Sequence, residues 1–225
     1  MPNQEIVDWH MARSNVYRLL GNLLSEQPGE RTIDQLLRPE AQGYLETMFD
    51  NPKVGQRFHE LAYHYNSGRI SAEQVVLDFE SLMRVPGRWY THPYESAYRS
   101  RRMDGNNSKW GGLCGSQAGD VERYYHSEGL EPGYGRVDFA DHIGLELIFM
   151  AHICRKTAEA LQTHQDDRSE RLLAKQKEFG QHHVLTWADD FCAELKTKAG
   201  TPFFQAVAEM LAAFVESEKS QLMIH

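Results

Sequence analysis

Asp141, His142 and Glu146 are the residues whose types and spacing come nearest to chemistry, in the stretch DFADHIGLELIFMAHI from Asp138 to Ile153. On a helix, His142 and Glu146 four residues apart share a face and offer two ligands to a metal ion. A third ligand would have to come from elsewhere, and the HExxH pattern is absent. The plainer reading is a capped helix start with a hydrogen-bonded histidine. Asp138 suits an N-cap, because its carboxylate can accept from a free first-turn amide. Asp141, three residues on, suits the positive end of the helix dipole.

Other reactive sets are incomplete. There is no GxSxG, and Ser96, in YESAY, has no ordered base. Cys114, Cys154 and Cys192 stand far apart without CxxC, which fits core cysteines in a reducing compartment rather than a disulfide framework or a cysteine-built zinc site. The adjacent pair His182-His183 would point in different directions on a helix. The segment GGLCGSQAG, at 111–119, precedes a helix and could offer amides to a phosphate. It carries neither GxxxxGK[ST] nor GxGxxG, so a flexible turn is the expected reading. Ser100-Arg101-Arg102 has the look of a twin-arginine export signal, but it is internal and lacks a following apolar run. An exposed basic pair is expected there. The residues alone therefore point to a binding protein, not an enzyme.

The elements that must position these residues read as helices. Ile143, Leu147, Met150 and Cys154 make one apolar stripe, and Leu145, Ile148, Phe149 and Ile153 widen it, so this helix should be central and buried, extending to about Thr163. Ile6, Trp9, Arg13, Val16, Leu20 and Leu23 trace a first helix ending before Pro28-Gly29. Short helices are expected at about 32–38 and 40–49, then a stripe of Val54, Phe58, Leu61 and Tyr65 closed by Gly68. Ser71 with Gln74 forms a capping box opening a helix through Leu82. Another helix runs from Ser116 to Gly129, and the charged stretch 165–177 reads as a solvated helix. Val184 to Leu195 follows, and Thr201-Pro202 starts a last helix. No stretch alternates long enough for a strand.

The pattern stops over 84–115, a long Gly-rich loop with Trp89, Tyr90, Tyr94, Tyr98 and Trp110. Such loops are uncommon inside a domain and often functional; the aromatics suit a docking surface or a lid. The economical reading is one all-α domain, residues 1–225, with this loop as its only candidate boundary.

Bulk composition narrows the partners. The 225 residues are 41% hydrophobic and 11% aromatic, and 24 basic against 32 acidic residues leave a net charge of −8. That balance disfavours nucleic acid and anionic membranes. The N-terminus lacks the pattern of a signal peptide, and the apolar run at 143–153 is too short to span a bilayer.

Four stretches together resemble the TorD/DmsD family of redox-enzyme maturation chaperones. They are LDFESLMRVPG (77–87) with HPYESAYRS (92–100), GSQAGDVERYYHSEGLEP (115–132), DFADHIGLELIFMAHI (138–153) and HVLTWADDFCAEL (183–195). Their order and spacing carry the match over about 77–215. Where the family often has proline before Asp-His, this chain has Ala140, and after Trp187 it has Ala188 and Asp189. The resemblance implies an all-helical cytoplasmic chaperone. It would bind the catalytic subunit of a dimethyl sulfoxide reductase-type molybdoenzyme and its N-terminal twin-arginine signal peptide, delay export, and keep the apoenzyme ready for cofactor. It further implies client-binding roles for Asp141, His142, Glu146, Asp138, Trp89, Tyr90, Tyr94 and Ser96. The carboxylates would pair with guanidinium and the aromatics would cover the apolar segment. No resident cofactor is expected. The alternative is a protein that binds or carries guanine nucleotide or molybdopterin to the same client, and a third class is a metal-dependent hydrolase using His142 and Glu146. A monomer or a helix-swapped dimer would suit the long loop.

Overall fold

Apolar residues recurring at three and four positions become helices wherever the computed structural model describes them, over residues 4–41, 43, 52–104, 107–131, 137 and 139–222. In chain order the helices are α1 (Gln4–Ser25), α2 (Glu30–Leu36), α3 (Pro52–Asn66), α4 (Ala72–Phe79), α5 (Glu95–Arg99), α6 (Ser116–Ser127), α7 (Ile143–Gln162), α8 (Asp166–His182), α9 (Val184–Lys198) and α10 (Pro202–Leu222). The helix expected at 40–49 falls largely outside the described residues. The capping box is present in full: Ser71 Oγ accepts from the Gln74 amide, and Gln74 Oε1 accepts from the Ser71 amide. Gly68 and Gly129 close α3 and α6 with φ of 71° and 69°, a backbone region that glycine enters without a Cβ clash.

The fold is all-α, with one departure from the expectation of no strands. Arg102–Asp104 (β1) pairs antiparallel with Asn107–Lys109 (β2), Arg102 facing Lys109. Three residues are too few for alternation to register in a sequence. A second departure follows α4, which widens into a π-turn at Glu80–Arg84, where the Val85 amide reaches the Glu80 carbonyl. The Leu82 carbonyl in that turn accepts both the amide and the hydroxyl of Thr91.

The chain divides into two compact units. The first comprises Met1–Ser25, Pro93–Trp187 and Glu218–His225. Its core is α1 against α7, with Tyr17, Leu20 and Leu24 facing Ile143, Leu147, Met150 and Cys154, all buried. Ile6 and Trp9, expected on the inner stripe of α1, are exposed; Val7, His10 and Ser14 take that face. The solvated helix expected at 165–177 runs to His182 as α8 and buries Leu172, Gln176 and Phe179. Within this core Arg13 is buried, its Nε and one terminal nitrogen donating to Glu218 and the other to Gln176. The second unit, Glu26–His92 with Ala188–Ser217, packs Phe58, Val75, Phe79, Leu82, Phe191, Phe204 and Leu211.

Two glycines set the crossing of α1 and α7. A Cβ at Gly144 would sit 2.8 Å from the Gly21 carbonyl oxygen and 2.7 Å from Ser25 Cβ; one at Gly21 would sit 2.8 Å from the Gly144 carbonyl oxygen. Backbone on backbone leaves no flexible group to give way. Gly144→Ala is therefore expected to destabilise by about 1–3 kcal/mol, as overpacked cores do. A urea midpoint unchanged from the parent protein would disprove the close approach.

Candidate functional site

The stretches around Pro93 and Asp141 are tied together by backbone, within the first unit. The Ile143 amide donates to the Pro93 carbonyl and the Glu95 amide to the Asp141 carbonyl, each at 2.9 Å, with Tyr94 and His142 forming an antiparallel bridge between them. Each stretch then turns into a helix, so the N-termini of α5 and α7 start from one short bridge.

Asp141 is fully buried, and its Oδ2 accepts from the Ser96 amide at 2.8 Å. It thus satisfies a first-turn amide of α5, not of its own helix. Burial raises the Asp141 carboxyl against the hydrogen bonds from Ser96, and the charge of Glu95 adds to the rise. His142 caps α7 instead: its Nδ1 accepts from the Gly144 amide at 3.0 Å, which places the ring proton on Nε2. Burial pushes the His142 imidazole down to about 3, so it is neutral at physiological pH. The central helix therefore begins at Ile143, four residues later than a cap at Asp138 would give; Asp138 itself lies outside the described residues. Tyr94 is buried, its ring edge-on to both Phe139 and His142. Ser96 is buried beneath the same bridge.

Glu146, one turn into α7, is also fully buried. Its Oε2 accepts from Trp187 Nε1 at 3.2 Å, and its Oε1 has no hydrogen-bond partner among the described residues. Burial first, then the charges of Glu95 and Asp141, hold its carboxyl well above the ordinary value. Within this buried acid cluster the surroundings of Glu146 favour its protonated form.

Glu95 was missed by sequence reasoning. It is fully buried, with Oε1 accepting from Arg99 at 2.9 Å and Oε2 at 2.8 Å from His183 Nδ1. Glu95 and His183 both lie in the motif stretches, yet they are 88 positions apart, and no spacing rule joins them. Outside this pair opens a polar cleft of about 790 Å³ between α5, α6, α8 and α9, reached by Ser116 and Gln117 at the start of α6.

Trp89 and Tyr90 belong to the second unit. Trp89 is 46% exposed with the Arg88 guanidinium 4.5 Å from its ring centre, whereas Tyr90 is buried and its carbonyl accepts from Lys198. The arginine pair expected to be exposed is split: Arg101 is half-buried over the Trp110 ring, and Arg102 is exposed on β1. Among the described residues no group of three or more His, Cys, Asp or Glu is placed to hold a metal ion. No helix among them is long and apolar enough to cross a membrane.

The raised carboxyl of Glu146 has a pH signature. Below about 4.5, the ordinary glutamate value, the residue is protonated folded or unfolded. As pH rises from there, the unfolded chain releases the proton and the folded chain keeps it, so stability is lost until the folded pKa is passed. Glutamine keeps an acceptor for Trp187 and removes the titration. Glu146→Gln is expected to melt higher than the parent near pH 8, with the gap closing towards about pH 5; a constant gap would contradict the buried protonated acid.

A family model described as nitrate reductase delta subunit matches residues 50–193. Full-length relatives carry the name chaperone protein TorD. That of Vibrio parahaemolyticus is 22% identical over 98% of this chain and 99% of its own length. That of Shewanella sp. strain ANA-3 is 26% identical over 96% of each.

Proposed function

The chain belongs to the nitrate reductase delta subunit family, the group that takes in the TorD chaperones, and on that premise we propose that it is a non-enzymatic maturation chaperone for a molybdoenzyme. In this reading it works in the cytoplasm. It binds the apo catalytic subunit and that subunit's twin-arginine leader, holds back export, and keeps the client open to its molybdenum cofactor.

One observation carries the reading to residues: the motif stretches at 92–100 and 138–153 are joined by a backbone bridge, and both motif carboxylates, Asp141 and Glu146, lie buried behind it. Asp141, His142, Tyr94 and Ser96 act as positioning residues, fixing where α5 starts and hence where its outer face meets a client. Glu146 and Trp187 brace the same corner. Trp89 offers an exposed ring to the apolar part of a leader. A folded scaffold whose acids are consumed internally is suited to presenting a surface, not to turning over a substrate.

Reconstitution tests the maturation role. Apo catalytic subunit, cofactor source and this chain should yield more molybdenum-loaded subunit than the same mixture without the chain. Equal loading in both mixtures would remove the proposal.

A second reading, carriage of guanine nucleotide or molybdopterin, is favoured by one feature. Gly115 precedes α6 with no side-chain cap, leaving first-turn amides for a phosphate beside the cleft. Equilibrium dialysis with GTP and with molybdopterin guanine dinucleotide decides it, and saturation by neither would end it.

A further inference from the structure

The polar cleft holds one arginine of the chain in a way that another arginine could replace. Its inner wall is the Glu95 carboxylate, which is fully buried and has one partner on each oxygen. His183 Nδ1 holds one, and Arg99 holds the other at 2.9 Å. The same Arg99 nitrogen donates to the His182 carbonyl, also at 2.9 Å. One guanidinium therefore joins a buried acid to the last residue of α8. Arg99 is itself only partly inside, its side chain 43% exposed against 0% for Glu95. It also opens the run Arg99-Ser100-Arg101-Arg102, in which Arg101 lies 4.4 Å over the Trp110 ring. The chain thus binds its own closely spaced arginines with an acid and a carbonyl for one and an aromatic face for another.

We propose that this cleft is a guanidinium-binding site whose resident is Arg99, and that an arginine of the client's leader takes the resident's place on Glu95 and the His182 carbonyl. The inference rests on the reading that the partner carries a twin-arginine leader. The chemistry demands exchange of like for like. A buried carboxylate is costly to leave without a cation, so the site is vacant only in a small fraction of molecules and is refilled by Arg99 or by another cation. Glu95 and the carbonyl accept in two directions from one terminal nitrogen, whose two N–H groups are fixed in the guanidinium plane, a geometry that a freely rotating lysine ammonium does not pre-set. The exposed half of Arg99 lets it swing into water while the newcomer enters. The resident also tunes affinity: while it occupies the site, only the small vacant fraction is competent, and the apparent affinity for a leader is reduced by that fraction.

The test titrates the full chain calorimetrically with a synthetic leader peptide bearing Ser-Arg-Arg before an apolar run, and with the same peptide carrying glutamines or lysines for the arginines. Arg99→Ala is expected to bind the arginine peptide about tenfold more tightly than the parent, with no gain for the glutamine peptide and little for the lysine peptide. Arg99→Lys, which keeps a cation on Glu95, should stay folded and show the same preference with a smaller gain. Methylguanidinium should raise the melting temperature of Arg99→Ala more than that of the parent. Unchanged or weaker binding by both variants, or an equal gain for the glutamine peptide, overturns the proposal. Apo catalytic subunit lacking its leader separates the two claims. If it still binds while neither Arg99 variant gains, the cleft assignment alone fails; if the parent binds neither subunit nor peptide, the chaperone reading fails with it.

Discussion

Glu218→Gln is expected to destabilise the protein by about 3–5 kcal/mol, the usual result of breaking a buried ion pair from one side. The side chains of Arg13 and Glu218 are 6% and 2% exposed. Two nitrogens of Arg13 donate to the two carboxylate oxygens at 2.7 and 2.6 Å, and Tyr17 donates to Oε2 at 2.6 Å. A third Arg13 nitrogen donates to Gln176 at 2.7 Å, and Gln176 in turn donates to Thr157. The pair thus links α1 and the last turns of α10 to residues of α7 and α8. Glutamine preserves the volume but leaves the guanidinium buried without a counter-charge and offers one acceptor where there were two. Replacing both partners by apolar residues, Arg13→Met with Glu218→Leu, should recover most of the loss, because the desolvation penalty then disappears as well. Chemical denaturation of the three variants checks this, and a single-variant loss under about 1 kcal/mol would mean that the pair is solvated.

The second large effect is expected in the other unit. Asp78 is 8% exposed and accepts three hydrogen bonds, from the Gly200 amide at 3.0 Å, the Thr201 amide at 2.8 Å and the Thr201 hydroxyl at 2.7 Å. These donors precede α10, whose first residue, Pro202, has no amide hydrogen to contribute. A carboxylate on α4 therefore anchors the turn between α9 and α10. Asp78→Ala strands all three donors and should lower stability by about 3 kcal/mol. Asp78→Asn keeps one acceptor oxygen and should recover part of it. Equal stability of the alanine variant and the parent would show that water satisfies the turn.

Both networks join residues that no sequence pattern connects. Periodicity located most of the helices because an apolar stripe must be buried somewhere, and the Ser71–Gln74 box and Gly68 worked because caps are local chemistry. Arg13 was placed correctly on a helix face, but its partner is 205 positions away, and a charged residue in a stripe carries no sign of what neutralises it. The central helix was found by its apolar stripe, whereas its first residue was not. An Asp-His pair before a helix looks like a cap followed by a first turn, but here the histidine ring is the cap and the aspartate serves α5. The aromatic loop is one feature in the sequence, yet Trp89 and Tyr90 fall in one unit and Tyr94, Tyr98 and Trp110 in the other. The small hairpin at 102–109 lay below the length at which alternation speaks.

The central claim is that the chain recognises an immature molybdoenzyme, and the direct test is a calorimetric titration with the catalytic subunit of a genomically neighbouring enzyme in two forms. Binding to the cofactor-free subunit is expected to be saturable, and affinity for the cofactor-loaded one at least about tenfold weaker, a difference of about 1.4 kcal/mol. Equal affinity for the two forms, or no binding to either, would contradict the claim.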